Sequence, residues 1–272
     1  MKLRATILGS GSSGGVPRIG GHWGACDPAE PRNRRRRCSL LVEKWNDDPA
    51  QKTTVLVDTS PDMRDQLIDA NVSWIDGVLY THDHADQSHG IDDLRMVALN
   101  GRRRVDVWMD EQTAKTLTSR FDYCFTQIPG SGYPAILQEH RIEKPGEPIR
   151  IEGAGGVIEA IPFDQDHGAI RSLGFRFGPL AYSSDLVDLP DESFSLIDGV
   201  ECWIVDALRY TPHPTHAHVE RSLEWIARVN PKQGVLTNLH VDLDYRRLKA
   251  ELPKNVEPAF DGMTIQFEVP DS

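Results

Sequence analysis

Three of the chain's ten histidines and two of its aspartates fall in the stretch Thr81-His82-Asp83-His84-Ala85-Asp86-Gln87-Ser88-His89-Gly90. Imidazole nitrogen and carboxylate oxygen are ligands of zinc, manganese and iron, and a site that keeps coordination positions open is catalytic rather than structural. In extended or loosely turning backbone, residues two apart point the same way, so His82, His84 and Asp86 can face one point. The apolar run Gly77-Val78-Leu79-Tyr80 just before them reads as a buried strand that delivers the polar loop to a sheet edge. A solvated loop with incidental histidines is the plain alternative.

The elements that must position this loop alternate along the chain. Leu3–Leu8 reads as a first strand and runs into Gly9-Ser10-Gly11-Ser12-Ser13-Gly14-Gly15. Such a turn lets backbone N–H groups approach a phosphate, or simply turns the chain; it is no P-loop, because no Gly-Lys-Ser/Thr follows. Arg32 and Arg34 to Arg37 precede the strand 38–42. Arginine forks match phosphate oxygens, although most charge runs are solvated or salt-bridged surface. Ser10, Ser12 and Arg35 are therefore candidates for touching substrate.

Thr54–Asp58 reads as a strand, and Ser60-Pro61-Asp62 as a helix start with Ser60 at the cap and Pro61 in the first turn. A short helix is expected from Ile91, a strand over 105–109, and a helix capped by Asp110 running to about Arg120. Residues 122–148 show no period and form either a wall of the site's mouth or a surface excursion. Strands follow over 149–151 and 157–161, the second leading into a loop that carries His167. A hairpin over 173–182 turns at Gly178-Pro179 and is followed by Asp185; strand 202–206 comes next. His213-Pro214-Thr215-His216-Ala217-His218 leads into an amphipathic helix with Val219, Leu223, Ile226 and Ala227 on one face. The strand-to-loop unit 235–240, a helix over 245–252 and a strand over 264–267 complete the pattern.

His82-x-His84-x-Asp86-Gln87-x-x-Gly90 resembles the H-x-H-x-D-H-x-x-G signature of the metallo-β-lactamase fold hydrolases. The chain is most similar to the phosphoribosyl cyclic-phosphate phosphodiesterases of phosphonate breakdown, and more loosely to the tRNA 3′-processing endonucleases, from about Ala5 to Phe267. The resemblance implies an α/β fold, the four-layer αββα sandwich of two mixed sheets with helices outside, as a single domain over residues 1–272. It implies two divalent metal ions, Zn2+ or Mn2+. The first would be held by His82, His84, His167 and a bridging Asp185; the second by Asp86, Asp185, His240 and Gln87, which stands where the family has a histidine. An amide oxygen is a weaker, harder ligand than imidazole. Three consequences are open: a looser second site favouring manganese, substitution by His89, or a ligand position left to solvent. Asp58 matches an aspartate that orients the metal loop without touching metal. His216 matches the family's active-site histidine and is the candidate general acid, with His218 and His213 as rivals. Asp86 joins it as a catalytic candidate. The cysteines that hold an additional structural zinc in many relatives are reduced here to Cys26.

A formal net charge of −11 over 272 residues argues against a nucleic-acid coat protein, while a local basic site for an anionic substrate stays compatible with it. Four scattered cysteines without disulfide-like spacing, no signal peptide and no membrane-length apolar run fit a reducing cytoplasm. The expected activity is metal-dependent cleavage of a small phosphodiester, such as a cyclic ribose or nucleotide phosphate, by an activated water. RNA processing, low-turnover nucleotide sensing and thioester or lactone hydrolysis are the alternatives. No stable nucleic-acid partner and no membrane association are expected, and a homodimer is compatible with the chain.

Overall fold

Fourteen strands build two facing sheets in a computed structural model that describes residues 1–270; residues 271 and 272 of the expected domain lie outside the described ones. The strands are β1 (Lys2–Gly9), β2 (Ser39–Trp45), β3 (Lys52–Val57), β4 (Gly77–Leu79), β5 (Val105–Met109), β6 (Leu137–Arg141), β7 (Ile149–Ile151), β8 (Ile158–His167), β9 (Ile170–Phe177), β10 (Leu180–Ser183), β11 (Cys202–Asp206), β12 (Gln233–Thr237), β13 (Val256–Pro258) and β14 (Thr264–Glu268). The first sheet has the order β14-β1-β2-β3-β4-β5-β6 and the second β13-β12-β11-β10-β9-β8-β7. Both are mixed. In the first, β3 to β6 run parallel and β14, β1, β2 and β3 antiparallel. In the second, β10 to β13 run parallel and β7 to β10 antiparallel.

The inner faces meet through Ala5, Ile7, Val42, Val55 and Val57 from one sheet and Phe175, Phe177, Tyr182, Ile204 and Val235 from the other, all buried. The outer faces are covered by helices, which is why the central strands read as unbroken apolar runs rather than alternating ones. Over the first sheet lie α1 (Met63–Asp69), α2 (Ala85–Ser88), α3 (Leu94–Gly101), α4 (Glu111–Arg120) and α5 (Asp122–Phe125), whose Leu67, Val97 and Leu117 pack on Leu56, Val78 and Val107. Over the second lie α6 (Asp191–Leu196), α7 (Val219–Val229) and α8 (Tyr245–Glu251), with Phe194, Trp225, Ile226 and Leu248 on Trp203, Val205 and Leu236. This is the expected αββα sandwich.

Several local expectations are corrected. The segment 122–148 holds a short helix, α5, and an edge strand, β6, paired in parallel with β5. The helix after Pro61 begins at Met63, because the Ser60 hydroxyl accepts from Asp62 N–H and donates to Gln66 instead of capping. β8 is ten residues long, so His167 is its last residue rather than part of a following loop. The basic run is tied down by the fold. Arg35 is buried and donates to Leu243 C=O and Asn33 Oδ1; Arg36 pairs with Asp69 and Asp261; Arg37 pairs with Asp62. Arg32 and Arg34 lie over the rings of Tyr245 and Trp23. Arg35 is therefore tied down as a brace between loops. Ser10 is fully buried with both N–H and hydroxyl on Asp261, and Ser12 is buried with its N–H on Leu239 C=O.

Candidate active site

Parallel strands end together at one edge of the sandwich, where open α/β sheets gather ligands. At or just beyond those ends stand Asp58 after β3, Thr81 after β4, Asp185 after β10, Asp206 as the last residue of β11, and Asn238 after β12. Asp58, Asp185 and Asn238 each leave their strand with positive φ, 63°, 53° and 61°. Left-handed backbone is costly for most side chains but tolerated by Asp and Asn, and such strain clusters at functional sites. Leu173 N–H to Thr81 C=O and Leu239 N–H to Ser10 C=O stitch the two sheets together at this edge.

His82, His84, His167 and Asp185 converge there: one ligand atom from each lies within 4.8 Å of the others. Asp185 Oδ2 stands 3.6 Å from His82 Nε2 and 3.8 Å from His167 Nε2, and His167 Nε2 stands 3.3 Å from His84 Nδ1. Hydrogen bonds behind the rings set their tautomers. Asp58 accepts from Thr81 N–H and Thr81 Oγ1, both at 2.8 Å, so the Thr81 hydroxyl is left as acceptor for His82 Nδ1–H at 3.0 Å. His167 Nδ1–H donates to Thr215 C=O at 2.7 Å. Both Nε2 lone pairs are thereby turned inward, and His82 Nε2 is buried without any hydrogen-bond partner. Burial, with His167 and His84 nearby, holds the His82 imidazole well below its ordinary pKa, hence neutral. The unpartnered His82 nitrogen and the His84 and His167 nitrogens converging beside a carboxylate fit a divalent cation. The orienting aspartate expected at position 58 acts through Thr81.

The turn that presents His84 and Asp86 is α2, whose last turn packs on the 59–60 backbone: Thr59 N–H donates to Gln87 C=O and Gly90 N–H to Thr59 C=O. A Cβ at Gly90 would stand 2.1 Å from Ser60 C=O, so only glycine allows this approach.

The residues expected around a second ion are not assembled in the same way. Among the described residues, Asp86 and His240 fall outside the four-residue group. Gln87 is buried and donates from Nε2 to Asp185 Oδ1 at 3.2 Å. Asn238 donates from Nδ2 to that same oxygen at 3.1 Å. The His240 ring is taken up elsewhere: Arg18 Nη2 lies on its Nε2, and Asp242 lies 2.9 Å from its Nδ1. His89 is exposed, edge-on to Phe121, and supplies no substitute. Burial and the Asp185 charge bring the Asp86 carboxyl up to about 6.

His216 adjoins the cluster, its ring centroid 4.9 Å from that of His167. Its Nδ1–H donates to the buried Asp206 carboxylate at 2.8 Å. Burial would lower its pKa, but the charge and hydrogen bond of Asp206 outweigh that, and the imidazole is pushed up to about 9. The His213 ring lies tilted against it, centroids 5.1 Å apart, while His218 is the cap residue of α7. A hollow of about 530 Å³ beside α2 is lined by Ser13, Gly14, Arg18, Arg37, Pro61 and Asp86. Sequence reasoning missed Thr81, Asp206, Asn238 and Arg18. The first three each sit at the carboxyl end of a strand, as Asp58 and Asp185 do, and that shared placement was the available signal.

Fold and site define a hydrolase of the metallo-β-lactamase fold. Residues 53–238 match the family model described as a beta-lactamase superfamily domain, and the chain belongs to that superfamily. It is similar to a crystal structure of a diphosphatase from the PhnP family, with 33% identity, a TM-score of 0.86 and 98% of each chain covered. It is also 30% identical over 264 residues to a Porphyromonas gingivalis (strain ATCC BAA-308 / W83) protein named octanoyltransferase, covering 96% of this chain and 51% of that one. The chain thus spans about half the length of this curated relative. Zn(2+)-bound PqqB from Methylobacterium extorquens shares the fold, at 17% identity and a TM-score of 0.69 over 96% of this chain and 99% of that one. No helix among the described residues is long and apolar enough to cross a membrane.

Proposed function

We propose that the chain is a metal-dependent phosphoric ester hydrolase acting on a small substrate, a phosphodiester such as a cyclic ribose or nucleotide phosphate or a diphosphate. The observation that carries this reading is the pairing of the converging His82, His84, His167 and Asp185 with a neighbouring His216 that Asp206 keeps protonated. A divalent ion, zinc or manganese, would supply Lewis-acid polarisation of a phosphoryl oxygen and a water acidified toward neutral pH. His216 would give its Nε2 proton to the departing alkoxide, while Asp206 holds the ring by Nδ1 and stabilises the cation until transfer. Arg18 and Arg37 would draw an anionic group into the hollow beside Asp86. The 33% identity to a PhnP-family diphosphatase over nearly the whole chain supports phosphorus as the reacting centre. A net charge of −11 goes with a small substrate rather than a nucleic-acid partner.

A second reading, acyl hydrolysis or transfer, is favoured by one observation, the octanoyltransferase of which this chain matches half. Turnover separates the two. Bis-p-nitrophenyl phosphate should be hydrolysed after loading with Mn2+ or Zn2+ and not after chelation. Turnover of an octanoyl thioester without phosphodiester turnover would replace the first reading by the second.

A further inference from the structure

Asp185 has two oxygens with opposite surroundings. Oδ2 faces the nitrogens of His82 and His167, which carry lone pairs. Oδ1 faces two N–H donors, the side-chain amides of Gln87 and Asn238. A carboxylate shared between two metal ions must offer a lone pair to each side. Here the lone pairs on one side are already accepting hydrogen bonds, from two side chains that are themselves fully or nearly fully buried. A second ion placed against Oδ1 would meet the hydrogen-bearing ends of both amides. The remaining imidazole that could complete such a site, His240, has its Nε2 lone pair directed at the Arg18 guanidinium. Arginine stays charged under all ordinary conditions, so that nitrogen faces a fixed cation.

We infer that the centre holds a single divalent ion, bound by His82, His84, His167 and Asp185, and that Arg18 supplies in place of a second ion the positive charge that meets an anionic substrate. The geometry is consistent on both counts. The two amides satisfy Asp185 Oδ1 without adding charge, so its position is fixed with no cation on that side. Arg18 reaches across the site to His240 from the wall of the hollow that also contains Asp86 and Arg37, and its guanidinium has donors left for a substrate oxygen. The one-ion statement is independent of the substrate. The role given to Arg18 rests on the phosphate reading above.

The test begins with the chelated 272-residue chain titrated with Mn2+, following stoichiometry by calorimetry and elemental analysis and the spin state by EPR. One equivalent with the signal of an isolated ion is expected. Two equivalents in the wild type, or an exchange-coupled pair signal, overturns the inference, and neither readout depends on any variant folding. In the double substitution Gln87→His with Asn238→His, imidazole lone pairs replace amide N–H groups beside Oδ1, and stoichiometry should rise to two. A folded double variant that still binds one ion would remove the amides as the cause. Arg18→Gln should leave stoichiometry at one and weaken inhibition by inorganic phosphate about 10–100-fold, the worth of lost charge-assisted hydrogen bonds. Unchanged phosphate inhibition would overturn the role of Arg18. A single ion together with thioester turnover alone would instead sink the phosphate reading and leave the one-ion centre standing.

Discussion

His216 leans on Asp206 through a 2.8 Å hydrogen bond from Nδ1, and Asp206 is wholly buried at the end of β11. The pair is local in space but ten residues apart in sequence, and it sets the charge of the ring nearest the cluster. Because the folded value, about 9, lies above the ordinary histidine value of about 6.5, the protonated pair stabilises the native state below that ordinary value. The contribution fades as pH rises through about 9. NMR titration of the metal-free protein should show one imidazole ionising in that upper range. In Asp206→Asn it should drop, since only the charges of Asp185 and Asp86 are then left to oppose burial. A cation bound at the cluster repels the imidazolium and should lower the wild-type value as well. An unchanged titration in Asp206→Asn would mean that the carboxylate does not control the ring.

Metal affinity should depend on a residue that touches no metal. Thr81 passes the constraint of Asp58 to His82, fixing which nitrogen carries the proton. Thr81→Val keeps the volume and removes the relay, so the ring is free to turn or to present the wrong tautomer. Losses of about 10–100-fold in metal affinity are typical of such partners. Calorimetric titration with Zn2+ checks this, and the double substitution His82→Ala with His84→Ala should abolish binding altogether.

Strand ends explain both what could be read in the sequence and what could not. The sandwich was legible because apolar runs and turn residues mark β2, β3, β4, β11 and β12, and His82, His84, His167 and Asp185 each follow such a run. β6 and β13 carried too little apolar pattern to be seen. The resemblance pointed to His240, yet the chain turns through positive φ at Asn238 and aims that side chain at Asp185. Two residues further on, the loop has carried His240 across to Arg18. The place of Arg35 in the fold was hidden for a related reason. A stretch of charges reports its composition, whereas which member is buried depends on loops from distant parts of the chain, here those around Asn33 and Leu243.

Arg35 should accordingly matter for stability. The residue is 2% exposed, its guanidinium donates to Leu243 C=O and Asn33 Oδ1, and Asn33 in turn accepts from Tyr245 N–H at the start of α8. Arg35→Met keeps the stem and strands these acceptors in the interior. A loss of about 2–4 kcal/mol in urea unfolding is expected, the cost of buried polar groups left unpaired. The KM of the folded fraction should be little changed. A large KM effect with wild-type stability would return Arg35 to the substrate.

General-acid catalysis by His216 predicts a dependence on the leaving group that structural roles would not mimic. A strongly basic alkoxide needs a proton in the transition state, whereas p-nitrophenolate leaves as a stable anion. His216→Ala should therefore slow an alkyl or ribose phosphodiester by about 10²–10⁴, roughly 3–5 kcal/mol of barrier, and barely affect the p-nitrophenyl ester. Metal content should stay constant, because His216 holds Asp206 and lies outside the converging four. Equal losses on both esters would mean that the ring positions substrate rather than donating a proton. His218→Ala is the matched control: with that side chain at the cap of α7, the ratio between the two substrates should remain that of the wild type. A selective loss on the alkyl ester in His218→Ala, absent in His216→Ala, would transfer the acid role to the cap residue.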